Sequence, residues 1–190
     1  MTISSDVFRS AMRHLAGHVC LITTCGSDGA RNGLTATAVC SVSAEPPTLL
    51  CSVFTQTDCR ATIQASGSFA VNVLSVADKA LADRFASKLR GEERFQAGEW
   101  QTLETGSPVL KSALASFDCK LVNSVQVNTH SILIGEIHAV RITQNVEKPL
   151  LYSHGGYGEF SRRTPGADTS MQWCPDWDFS ADASAGELGD

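Results

Sequence analysis

Strand-forming segments dominate this chain. VCLITT, GLTATAVCSVS, TLLCSV, FAVNVL, FDCKLVNSVQV, HSILIGEIHAVRIT and LLYS are rich in β-branched residues, and GSDG, AEPP and GSP punctuate them as turns. Helical patterns interrupt the series at few places. Phe8, Ala11, Met12 and Leu15 recur at i, i+3, i+4 and i+7, with Ser5 or Asp6 as cap and Gly17 as stop, which predicts a short amphipathic helix. Two more are predicted, from Asp58 to Ala65 closed by Gly67, and from Ala77 to Phe85 capped by Ser75 or Asp78. Strands therefore outnumber helices and do not alternate with them. This disfavours a doubly wound parallel sheet and predicts a mainly β chain, an antiparallel barrel with a few covering helices.

Composition sets the outer limits. With 190 residues, 43% hydrophobic and 18% charged, the chain is long enough for one well-buried core and is not collagen-like, coiled-coil or wholly disordered. Its net charge of -5 offers no footprint for a polyanion, so nucleic acid is excluded as the main partner. Much of that acidity sits after residue 160, where periodicity is lost and Pro, Gly, Ser, Ala and Asp accumulate. Residues 1–160 are thus expected to form the domain, and 161–190 a flexible acidic tail whose Trp173, Trp177 and Phe179 suggest docking. Seven cysteines, an odd number with no C-x-x-C pair, read mostly as buried thiols rather than a disulfide or zinc framework. The first residues lack a signal-peptide core and no run is long enough for a membrane span, so a cytoplasmic protein with no membrane partner is expected.

Several chemistries are missing. No G-x-G-x-x-G follows a strand, no P-loop occurs and no G-x-S-x-G elbow is present. His14 and His18 lack the glutamate of a zinc helix and read as a helix end, so no metal is expected. One stretch, residues 33 to 53, stands out. It sets Thr35, Thr37, Ser41 and Ser43 along an extended strand, followed by Pro46, Pro47 and another strand. Short side chains let a flat ring lie close to backbone N–H and C=O groups, which suits a flavin, although a Thr-rich solvent face would read the same way.

DGARNGLTATAVCSVSAEPPTLL, SGSFAVNVL, LADRFASK, RFQAGEWQTLETGSPVLKSALASFDCKL, THSILIGEIHAV and PLLYSHGGYGEF, in that order, resemble the short-chain flavin reductases that supply reduced flavin to two-component monooxygenases. The resemblance covers about residues 6 to 160. It implies an FMN-binding split β-barrel, a homodimer and a non-covalent flavin, FMN or FAD, near the dimer interface. It also implies that Thr35, Ala36 and Thr37 face the isoalloxazine edge, that Ser41, Val42 and Ser43 line the next part of the flavin, and that Ser52, Phe54, Thr57, Asp58 and Cys59 flank its ribityl and phosphate portion. Arg84 and Phe85 would close over the cofactor, Tyr157 would border the nicotinamide pocket, and His130 would contact the nicotinamide nucleotide or lie beside the reacting rings. Two positions depart from the family pattern. Thr57-Asp58-Cys59 stands where relatives carry Ser-Arg-Ser or Ser-Arg-Thr, and Thr129 replaces the aspartate before His130.

The resemblance implies hydride transfer from NADH or NADPH to the flavin, with reduced flavin passed to a partner monooxygenase. One alternative keeps the flavin bound and reduces another acceptor, such as a corrinoid or ferric chelate. A more distant one is a flavin-binding sensor without enzymatic activity.

Overall fold

The fold was analysed in a computed structural model, which describes residues 3–144 and 147–160. The expected acidic tail, 161–190, lies outside the described residues. In chain order the elements are α1 (Ser5–Met12), β1 (Gly17–His18), β2 (Cys20–Cys25), β3 (Arg31–Ala36), β4 (Val39–Ala44), β5 (Pro47–Phe54), α2 (Asp58–Ser66), β6 (Ser68–Val73), α3 (Lys79–Ala86), β7 (Trp100–Thr102), β8 (Pro108–Leu110), β9 (Ala115–Val127), β10 (His130–Ile142), β11 (Leu150–Ser153) and β12 (Gly156–Glu159). A 3-10 turn, Val76–Asp78, leads into α3, and a 3-10 helix, Gly91–Gln96, follows it. No described helix is long and apolar enough to cross a membrane.

Seven strands form one antiparallel sheet in the order β3-β2-β6-β9-β10-β5-β4. Its two edges, β3 and β4, are consecutive in the chain with just Thr37 and Ala38 between them. Three Cα steps from Ala36 to Val39 can span at most about 11 Å. A flat sheet with six strand-to-strand gaps would hold its edges roughly 29 Å apart. The sheet must therefore curl until its edges nearly meet, and the amide of Ser52 on β5 donates to the Ala38 carbonyl at 2.9 Å beside that seam. Small sheets, β1-β11-β12 and β7-β8, complete the β structure.

Curling creates an inside and an outside, and both faces of β2 are buried. Cys20 and Ile22 point into one core with Leu49, Cys51, Val53, Cys59, Ile63, Phe69, Val71, Cys119 and Leu133. Val19, just before β2, and Leu21 point into a second core with Leu74, Leu81, Phe85, Phe95, Leu110 and Leu150. Period-2 alternation with both faces covered explains why VCLITT reads as a nearly continuous apolar run. One polar side chain binds the elements together. Asn72, fully buried on β6, donates to the Leu21 carbonyl (3.3 Å) and Thr23 Oγ1 (3.0 Å), and its Oδ1 accepts from the Leu110 amide and Ser116 Oγ (2.9 Å each).

The helices follow their end signals closely. Gly67 closes α2 in the left-handed region (φ 72°), its N–H donating to the Ile63 carbonyl. The predicted start of α3 differs: Ser75 and Asp78 close the 3-10 turn ahead of it, the Ser75 amide and hydroxyl donating to Asp78 Oδ2 at 3.1 and 2.8 Å, and α3 itself begins at Lys79 with no side-chain cap bond from Asp78. Helix α1 differs from expectation. It starts one residue earlier, because Ser4 Oγ accepts from the Val7 amide, and it ends at Met12, where His14 and Leu15 switch to i→i+3 bonds. None of its residues is buried, and Val7, Phe8 and Met12 stand exposed. GLTATAVCSVS is two strands rather than one, broken at Thr37 and Ala38, and GGYGEF pairs with β11 as β12 instead of forming a free turn.

The barrel is packed tightly at Gly135. A Cβ there would lie 2.5 Å from Phe69 Cζ and 2.9 Å from Cys119 Cβ, and both neighbours are fully buried. Gly135→Ala is expected to destabilise the fold by about 1–3 kcal/mol, as overpacking does. Urea unfolding checks this, and an unshifted midpoint would show that the core yields.

Candidate functional site

The seam between the sheet edges opens into a cleft of about 790 Å³. Its walls come from β3 and the Thr37 and Ala38 link, the end of β5, the start of α2, the end of α3 with the segment after it, and His130 at the start of β10. This volume lies within the range of pockets that hold small ligands and cofactors.

Its floor is a sheet edge without a strand partner. The Arg31 amide donates to Glu92 Oε1 at 3.0 Å, and Arg94 Nη1 donates to the Gly33 carbonyl. Residues 31 and 33 thus turn their backbone groups away from β2, and the alternation of an antiparallel pair directs those of Thr35 the same way. Gly33 is needed at this position because a Cβ there would come 2.7 Å from the Phe85 ring. The Thr35 hydroxyl donates to the Ala82 carbonyl at 2.7 Å and ties α3 to the strand. The hydroxyls of Thr37 and Ser52 have no hydrogen-bond partner among the described residues.

One end of the cleft is cationic. Lys88, Arg90 and Arg94 line it together with Asp58, Asn32 and Gln56. A two-pronged ion pair sets this end in place: the Arg31 guanidinium grips Glu92 (Nη2 to Oε2, 2.6 Å) and lies over the Phe95 ring at 4.6 Å, fixing the 3-10 helix that carries Arg94. Hydrogen bonding to Arg31 holds the Glu92 carboxyl below its ordinary pKa, so this support is present above the carboxylate range and is lost as pH falls through it. Arg94 Nη2 donates to the Ser87 carbonyl at 3.1 Å, whereas its Nε is buried without a partner among the described residues. Burial pulls the Arg94 guanidinium below its usual pKa. Thr57 caps α2, with Oγ1 accepting from the Arg60 amide at 3.2 Å, and Asp58 lies 3.8 Å from Arg90.

At the cleft mouth His130 Nδ1 and Thr129 Oγ1 are 2.9 Å apart, and the His130 ring packs edge-on against Phe54, with centroids 5.7 Å apart. The register sets Phe54 and Val127 opposite His130 on its two neighbouring strands.

The expected residues divide into three groups. Thr35, Ala36, Thr37, Ser52, Phe54, Thr57, Asp58, Cys59, Phe85 and His130 line the cleft. Tyr157 lines a smaller hollow of about 250 Å³ that shares Thr35, Ala36 and Thr37 as its wall. Burial and the neighbouring Asp83 carboxylate push its phenol up to about 12, so it keeps its proton at neutral pH. Ser41, Val42, Ser43 and Arg84 do not line the cleft. The three β4 residues lie exposed on the outer edge strand, and Arg84 donates to the carbonyls of Glu93 and Arg94, bracing the 3-10 helix. His14 and His18 are on no common helix: His14 Nδ1 meets His154 Nε2 at 3.1 Å, and His18 belongs to β1. Among the described residues no group of three or more His, Cys, Asp or Glu side chains is arranged to hold a metal. Lys88, Arg90 and Arg94 were not expected, although Arg94 opens the RFQAGEW segment.

Residues 12–161 match the model of the flavin reductase like domain. This chain belongs to that family. Within the family, it is 42% identical over 135 residues to FMN reductase (NADH) RutF of Ancylobacter novellus, covering 71% of this chain and 74% of the relative. Among solved structures, flavin reductase PheA2 matches with 37% identity and a TM-score of 0.76, over 84% of this chain and 100% of the other. BorF, the flavin reductase component of a bacterial two-component tryptophan halogenase, matches with 26% identity, a TM-score of 0.76 and the same coverage. The curled, unclosed sheet is the split barrel of the flavin reductases.

The thiols allow a check on the cleft wall. Burial pushes Cys20 and Cys51 up to about 12 and raises Cys59 and Cys119 as well, while Cys40 is exposed. A thiol reagent at about pH 8 is expected to label Cys40 in the native protein and to reach those four after unfolding. Rapid native labelling of Cys59, located by peptide mass mapping, would show that the wall opens.

Proposed function

We propose that this flavin reductase transfers hydride from NADH to a flavin held in the seam cleft and passes the reduced flavin to a partner oxygenase. The cleft itself is the observation that carries the reading: a flat, unpartnered strand edge lies next to a cationic end, which matches a planar ring bearing a phosphorylated chain. The residues fit such a group, because the buried Nε of Arg94 lacks an acceptor and the Thr37 and Ser52 hydroxyls are unengaged. When bound, the flavin supplies the ring that accepts the hydride.

The protein's own work is positioning. The Thr35 backbone orients the ring edge, with Thr37 and Ser52 as further hydrogen-bonding groups. Lys88 and Arg94 hold the phosphate, and Phe85 backs the site with an apolar surface. The Thr129 hydroxyl, sharing a hydrogen bond with His130 Nδ1, orients the ring, which leaves Nε2 to hydrogen-bond the nicotinamide carboxamide. Anaerobic mixing with NADH and FMN or FAD is expected to bleach the flavin absorbance. No bleaching with either flavin would overturn the reading. Co-elution of the flavin with the protein on gel filtration would favour the alternative in which it is retained for another acceptor.

A homodimer belongs to the same proposal. Phe54 and Val127 flank His130 yet are 43% and 49% exposed, and the apolar side chains of α1 face solvent, so a closed two-fold pair would cover them. Light scattering is expected to give about twice the 20.2 kDa chain mass. A value near one chain mass, with flavin bound, would refute it.

A further inference from the structure

The cationic end of the cleft contains one carboxylate. Asp58 opens α2, where its charge favours the helix, and lies among the residues that would surround a flavin phosphate. Arg90 lies 3.8 Å from it, and both side chains are well exposed, at 81% and 64%. Neither is fixed by a stronger contact: Arg90 makes no other side-chain ion pair among the described residues, and the Thr62 hydroxyl donates to the Asp58 backbone carbonyl and not to its carboxylate, which pairs with Arg90 and also acts through space on Arg94. Arg94, by contrast, is pinned to the Gly33 and Ser87 carbonyls and still has a buried Nε without an acceptor. The cleft thus has a fixed donor, Arg94, and a movable one, Arg90, already engaged by an internal anion.

We infer that Asp58 is a specificity-determining residue that competes with the phosphate of the flavin for Arg90 and so weakens the hold on phosphorylated flavins. A phosphate ester held by Lys88 and Arg94 can add Arg90 as a third partner by taking it from Asp58, and it then sits beside the carboxylate. Both steps oppose binding of FMN and FAD, whereas riboflavin, which has no phosphate, experiences neither. The consequence is exchange: the flavin grips by its ring and is held loosely at its charged end, as befits a flavin that arrives oxidised and leaves reduced. This rests on the flavin cleft proposed above.

The test measures dissociation constants of oxidised riboflavin, FMN and FAD for the full-length protein by quenching of flavin fluorescence. Wild type, Asp58→Asn and Arg90→Gln are compared. Removing a like charge from this exposed end is expected to tighten FMN and FAD about fivefold relative to riboflavin at low salt, and the gain should shrink as salt screens it. Arg90→Gln is expected to move the FMN to riboflavin ratio the other way. If Asp58→Asn leaves that ratio unchanged, or tightens all three flavins equally, the competition does not exist and the inference is overturned while the flavin cleft stands. If wild type binds none of the three, riboflavin included, the flavin cleft is overturned and the inference with it.

Discussion

Two residues, Thr37 and Ala38, join the first and last strands of a seven-stranded sheet. That short link forces the sheet to curl, and the curl produces the enclosed core, the seam and the cleft together. The seam also leaves the β3 edge without a neighbouring strand, which an enclosed chain must satisfy by other means. Glu92 and Arg94 from the 3-10 helix bond its backbone, and Thr35 reaches out to α3. Where these bonds stop, at Thr35 and beyond, polar groups remain for a ligand. The site is the part of the edge that the protein itself does not cover.

The strand-rich pattern made the architecture legible, because β-branched alternation and turn residues act locally. The end of α2 and the turn that leads into α3 were legible for the same reason, since Gly67, Ser75 and Asp78 act within one helical turn. Helix α1 was legible as a helix but not in its surroundings: periodicity shows an apolar face without showing what covers it. The break at Thr37 and Ala38 was hidden, because both residues suit an extended strand and the demand to turn comes from pairing with distant partners.

In the cleft, sequence reasoning found residues near the ends of strands and missed those on the segment after α3. Lys88, Arg90 and Arg94 lie in a charged stretch, KLRGEER, that composition alone assigns to solvent. Its role depends on the Arg31 to Glu92 pair, which bridges 61 positions and has no local signature. Ser41 and Ser43 resemble Thr35 and Thr37 in chemistry and differ in place. Crossing the seam carries the chain from the cleft edge onto an outer strand, so two similar hydroxyl pairs acquire different surroundings. Asp58 shows the converse: it departs from the motif, and folding brings Arg90, 32 positions away, to 3.8 Å from it.

Asn72 has a consequence for how such a barrel can change. All four of its hydrogen-bonding positions are filled by β2, by Ser116 on β9 and by Leu110 on β8. Sliding β6 by one residue would turn the amide to the opposite face and break all four of these bonds at once, so the alignment of these strands is guarded at one point away from the cleft lining. The rim charges carry no such duty. Side chains such as Asp58 or Arg90 can therefore be exchanged while strand alignment is left alone, and on the proposed reading the same scaffold can be refitted for different guests.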